Sequence, residues 1–168
     1  MPDGFEIRIC NALTILRSIA GYNEIAINLA SSHLLYFMCP LIETNNPRFS
    51  NIRKVGIAVF VEVTSGNKDP FIYQTFVDDG ILNVCLNVIE RVDLKEKGGI
   101  MLMLNNILCF DMSFCEKLNN VLLDKIYNAL VIYENEIKKS PQETAKLKDC
   151  IENIRRCIHA NEYNGYAA

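Results

Sequence analysis

Apolar positions recur along the chain three and four residues apart, in runs separated by clusters of Asn, Asp, Ser, Gly and Pro. This is the spacing of amphipathic helices. Asp3-Gly4-Phe5-Glu6 and Asp93-Leu94-Lys95-Glu96 each place an N-cap acid three residues before a carboxylate, and Ser140-Pro141-Gln142-Glu143 adds a proline at the first helical position. Asp69-Pro70 opens a helix in the same way, while Thr44-Asn45-Asn46-Pro47 and Ser65-Gly66-Asn67 read as turns. The pattern predicts helices over 4–20, 23–30, 33–43, 49–64, 70–78, 80–91, 94–110, 112–119, 121–138 and 141–161. A strand competes only in the β-branched stretch "KVGIAVFVEV", whose length and all-round apolarity favour a buried helix.

The runs also repeat. Asn28 to Glu43 aligns with Thr75 to Glu90 at a shift of 47, matching Leu29 with Phe76, Leu34 with Ile81 and Ile42 with Ile89. The same shift carries Val55, Ile57, Phe60, Val61 and Val63 onto Leu102, Leu104, Ile107, Leu108 and Phe110. A unit of a short, a medium and a long helix, with a period of about 40 to 47 residues, fits the armadillo and HEAT class. The expected fold is therefore all-α: one right-handed armadillo-type solenoid over 1–168, with a partial repeat at 1–20 and repeats at 21–65, 66–111 and 112–162. Its third helices would be apolar nearly all round because neighbouring repeats sandwich them.

Composition narrows the chemistry. Half of the 168 residues are apolar and the net charge is -3, which disfavours binding of a polyanion by the whole surface. Seven cysteines, odd in number and widely spaced without any Cys-x-x-Cys, read as reduced, mostly buried thiols, and so as a reducing compartment, the cytoplasm or nucleus. The N-terminus lacks a basic stretch followed by an apolar one, so no secretory signal is expected. The run 98–110 is too short for a membrane span, being preceded by Lys95, Glu96 and Lys97 and interrupted by Asn105 and Asn106.

Enzymatic readings find little support. The two histidines are His33 and His159, and Cys157 stands two residues before His159, where helical side chains diverge by roughly 200°. No phosphate-binding glycine loop or metal-ligand spacing occurs, so neither a catalytic residue nor a cofactor is expected.

The segments "RICNALTIL", "FSNIRKVGIAVFV" and "DDGILNVCLNVIE" resemble the cell-differentiation (Rcd) family, the armadillo-repeat subunit of the Ccr-Not deadenylase complex. Arg8-Ile9-Cys10-Asn11-Ala12-Leu13 matches the family's Arg-Val-Cys-Asn-Ala-Leu at all but one conservative position, and the resemblance runs in family order from Arg8 to Asp111. It implies a non-catalytic scaffold that binds short helical or extended peptide motifs of regulators and links them to mRNA deadenylation and translational repression. The family domain has roughly two further repeats before this first helix, and part of the surface that docks on the large Not scaffold lies in them. Where family members carry the Tyr-x-Arg of tryptophan-binding pockets, this chain has Val121-Leu122-Leu123, so those pockets are not expected.

Candidate groove residues follow. Asn11 and Asn105 or Asn106 could hydrogen-bond the backbone of an extended peptide, or else satisfy a neighbouring group inside the protein. The resemblance places Phe49 and Gly56 at an aromatic and a glycine against which a partner helix packs; the alternative for Gly56 is close approach of an adjacent helix. Gly98 and Gly99 open the next third helix, where they serve either as secondary ligand contacts, with Arg53 and Leu102 as expected neighbours, or simply to loosen the first turn. A rival reading is nucleic-acid binding through Lys146, Lys148, Arg155 and Arg156, against which stand the expected pairs Glu134 with Lys138 and Glu152 with Arg156. A leading helix with no repeat stacked before it predicts self-association, or a partner covering residues 4 to 20.

Overall fold

The structure, a computed structural model, describes residues 4–66, 68–111, 114, 118–139 and 141–164, without the side chains of 141–146 and 161–164. Among them there are nine α-helices and no strand: α1 (Gly4–Ala20), α2 (Asn23–Ser31), α3 (Leu34–Glu43), α4 (Ser50–Thr64), α5 (Pro70–Asp78), α6 (Ile81–Asn87), α7 (Leu94–Leu108), α8 (Asn120–Ile137) and α9 (Pro141–Asn164). The stretch read as a competing strand is α4. Most of the helix expected over 112–119, with the Asp3 and Ser140 caps, lies outside the described residues.

Local chemistry sets the ends. The Asp93 carboxylate accepts from Glu96 N–H while the Glu96 carboxylate accepts from Asp93 N–H, closing a capping box at 3.0 and 2.9 Å. Asp69 accepts from Phe71 N–H, and Asn119 from Leu122 N–H, each satisfying a donor that a helix start leaves without an intrahelical partner. Asn46 and Pro47 nucleate one 3-10 turn, Pro47–Phe49, so that Phe49 precedes α4 instead of opening it.

The chain forms two compact units, residues 1–88 and 89–168, and the boundary falls inside the repeat expected at 66–111. In the first, α1 lies along α4, α3 packs on α4 and α6, and α5 packs on α2 and α6. Leu13, Leu35, Ile42, Ile52, Phe60, Val63, Ile72 and Phe76 are among its buried side chains, with Phe60 and Phe76 edge to face at 5.5 Å. In the second unit α9 lies along α7 and both meet α8, burying Ile100, Met101, Leu104, Ile107, Ile126, Leu130, Tyr133 and Ile154.

Repetition is visible in the backbone. The nine-residue helices α2 and α5 begin at Asn23 and Pro70, 47 positions apart, and α3 and α6 begin 47 apart at Leu34 and Ile81. The residues preceding that second pair, His33 and Gly80, are both left-handed, with φ of 55° and 72°. The third pair departs from the expected shift. α4 and α7 are both fifteen residues long but start at Ser50 and Leu94, 44 apart, and their buried positions coincide at that spacing: Arg53 with Lys97, Gly56 with Ile100, Phe60 with Leu104, Val63 with Ile107. The three missing residues are those by which α6 is shorter than α3. A slip of three is nearly one turn, so an apolar pattern leaves it almost invisible.

Candidate binding groove

In the first unit, α1 and α4 leave between them an open groove of about 480 Å³, lined by Glu6, Ile7, Cys10 and Asn11 from α1 and by Asn51, Lys54 and Val55 from α4. The lining follows from helical spacing: Ile7 and Asn11 are four apart, as are Asn51 and Val55, so each pair occupies one face. Ile7, Cys10 and Val55 supply apolar surface, while Asn11, Asn51 and Lys54 are exposed. Glu6 is only 8% exposed; it sits in the first turn of α1, where a helix start favours negative charge, and accepts from Asn51 Nδ2 at 3.4 Å. At the other end of α1, Arg17 and Glu62 of α4 pair at 3.6 Å.

Asn11 and Asn51 present amides from opposite walls, each with both donor and acceptor capacity. Burial first, and the Glu6 charge second, push the Cys10 thiol above its usual range, so it faces the groove as a neutral group. No histidine lines the groove.

Of the residues singled out in the sequence, Asn11 lines this groove, and Phe49, Arg53 and Gly56 do not. Phe49 is half-buried on the 3-10 turn. Arg53 is buried, and its Nη1 donates to the Thr44 carbonyl at 2.9 Å, tying α4 to the end of α3. Gly56 is buried against α3: a Cβ there would lie 2.7 Å from Ile42 Cδ1, so the adjacent helix itself makes the close approach. Glu6, Ile7, Cys10, Asn51, Lys54 and Val55 were missed in the sequence; counting three and four residues from Asn11 finds Ile7 but not the facing wall, which depends on how α4 lies against α1.

Within the second unit, Gly98 is buried, with Leu147 Cδ1 and Tyr133 Oη each 3.4 Å from the place of a Cβ; Gly99 is half-buried and Leu102 exposed. Asn105 Oδ1 accepts from Asn153 Nδ2 at 3.3 Å, bridging α7 to α9, and Asn106 is half-buried and engaged. Arg155 pairs with Glu134, which thereby takes a different cation from the expected Lys138, and Arg156 pairs with Glu152 at 3.4 Å. Lys148 is exposed; the Lys146 side chain lies outside the described residues. Among the described residues no group of three or more His, Cys, Asp or Glu could hold a metal ion. No single described helix is long and apolar enough to cross a membrane, although α2 and α3, bent by 78°, pass that test together.

Helices and groove define an all-α protein with an open cleft walled by two helices. No protein-family model matches the chain. It is similar, at a distant level, to the cell differentiation protein rcd1 of Schizosaccharomyces pombe, with 25% identity over 107 residues, 62% of this chain and 38% of that protein. The chain thus matches well under half the length of this relative.

Proposed function

We propose that this chain is a non-catalytic, armadillo-type scaffold that binds short helical or extended peptide segments, and that it serves a Ccr-Not-type assembly by linking regulators to mRNA deadenylation and translational repression. The α1–α4 groove carries the reading, because two amides on opposite walls flank an apolar floor and can satisfy a peptide backbone without reading a particular side chain. The distant similarity to the cell differentiation protein rcd1 supports the assembly. Cytoplasm and nucleus are the compartments such a role requires, and the large Not scaffold is the first partner to test. α1 also turns Phe5, Ile15 and Ile19 outward, at 63%, 66% and 38% exposure, consistent with self-association through that helix. Peptide segments that order on binding lose affinity to that entropy, so micromolar strength is expected of one motif.

The test is affinity capture of partners by the tagged chain and by an Asn11→Ala/Val55→Arg variant, with circular dichroism to establish that both are folded. Groove-dependent partners, Ccr-Not subunits among them, should be lost from the variant. Recovery of the same partners by both proteins would remove the groove from the function.

A further inference from the structure

A second chemical feature lies in the other unit. Cys109 caps the C-terminal end of α7 and is exposed, whereas Cys157 is buried on α9; their sulfurs stand 4.0 Å apart. Each thiol is held by its surroundings. Cys109 S–H donates to Asn105 Oδ1 at 3.5 Å, and that amide is itself oriented by Asn153. Cys157 S–H donates to the Leu108 carbonyl at 3.5 Å. Two sulfurs already in contact, on helices that pack along one another, need to close by about 2 Å to reach bonding distance.

We propose that Cys109 and Cys157 are a modification site: a vicinal dithiol that hydroperoxides oxidise to a reversible intramolecular disulfide fastening the end of α7 to α9. The exposed sulfur reacts first. Cys109 loses its proton to solvent and its thiolate attacks the peroxide O–O bond, giving a sulfenic acid and a hydroxide that takes up that proton and leaves as water. The Cys157 sulfur then attacks the sulfenic sulfur; the S–S bond forms, and the hydroxide leaves as water with the Cys157 proton. Two thiols are oxidised by two electrons, one hydrogen peroxide is reduced, and two waters result. The adjoining Cys157 thiol first, and burial second, push the Cys109 thiol well above its usual range, so oxidation is slow near neutrality and quickens as pH rises.

The folded chain is treated with hydrogen peroxide, blocked with iodoacetamide, digested without reduction and mapped by mass spectrometry, alongside Cys109→Ser and Cys157→Ala. The expected result is a Cys109–Cys157 linked peptide about 2 Da lighter than its reduced parts, reversed by dithiothreitol and absent from both variants. In Cys157→Ala, Cys109 should accumulate as a sulfenic acid that dimedone captures. Cys109→Ser changes an exposed position, and circular dichroism checks its fold, so it decides the matter even where the buried substitution unfolds the chain. The site is refuted if the folded wild type oxidises while both cysteines stay open to alkylation. It is equally refuted if the linkage joins other cysteines, or if Cys109→Ser loses two thiols as fast as wild type.

Discussion

A Cβ placed on Gly56 would lie 2.7 Å from Cδ1 of Ile42, a side chain with no exposed surface. The contact is with the tip of a side chain, yet that tip is packed in a core and has nowhere to swing. Alanine at 56 gains up to about 1 kcal/mol of helix propensity but overpacks the α3–α4 seam by about 1 to 3 kcal/mol. Gly56→Ala should therefore lose about 1 kcal/mol of stability in urea unfolding, and Ile42→Val, which deletes the offending methyl, should restore it in the double variant. Equal loss in single and double variants would show that the contact is not the cause.

Gly98 gives the opposite expectation. Its nearest atoms, Leu147 Cδ1 and Tyr133 Oη, are both at 3.4 Å, the edge of ordinary contact. Helix propensity then dominates, and Gly98→Ala should be neutral or stabilising by up to about 1 kcal/mol. A clear destabilisation in the same urea experiment would place a tighter constraint on that turn than the distances imply.

Buried thiols set the alkaline behaviour. Burial pushes Cys39 up to about 11 and Cys150 up to about 12, from an ordinary value of 9.0, and drives Cys85 upward as well. Above pH 9 the unfolded chain releases these protons while the native chain keeps them, so the native state binds more protons and stability falls as pH rises. The contribution is complete below about pH 9 and is lost toward the folded values; each such thiol costs about 1 kcal/mol by pH 10. Lys68 runs the other way, since burial lowers its value. Urea midpoints should decline from pH 8 to 10.5, with a shallower slope in Cys39→Ala. An unchanged slope in that variant would assign the decline to other groups.

The basic face of α9 supplies a test between functions. Arg155 and Arg156 are engaged with Glu134 and Glu152, so they offer little free charge to a phosphate backbone. Single-stranded RNA should bind weakly and without a steep salt slope, and Arg155→Glu/Arg156→Glu should leave that unchanged. Tight, salt-sensitive binding abolished by the charge reversal would give the nucleic-acid reading priority over the peptide scaffold.

What the linear chain determined is helical content and its punctuation. Asp93 with Glu96 and Asp69 with Pro70 act over three residues, so their effect is complete before any tertiary contact forms. Apolar periodicity likewise placed α4, because a run that is apolar on all sides has to be buried wherever it lies. Asn11 lines the α1–α4 groove, but the facing wall of Asn51, Lys54 and Val55 was not legible in the sequence: which residues oppose α1 depends on how two helices whose facing residues lie about 45 apart in sequence pack together. Tertiary structure alone decided three further points. It set the sequence spacing between equivalent buried positions of α4 and α7 at 44, since a slip of nearly one turn conserves the apolar face. It directed Gly56 to Ile42 and Asn105 to Asn153, because a small or polar residue in an apolar run announces that something must approach it without saying what. It brought Cys109 to Cys157, since a sulfur's neighbour across a helix pair is a matter of packing and carries no signature in the spacing of the chain.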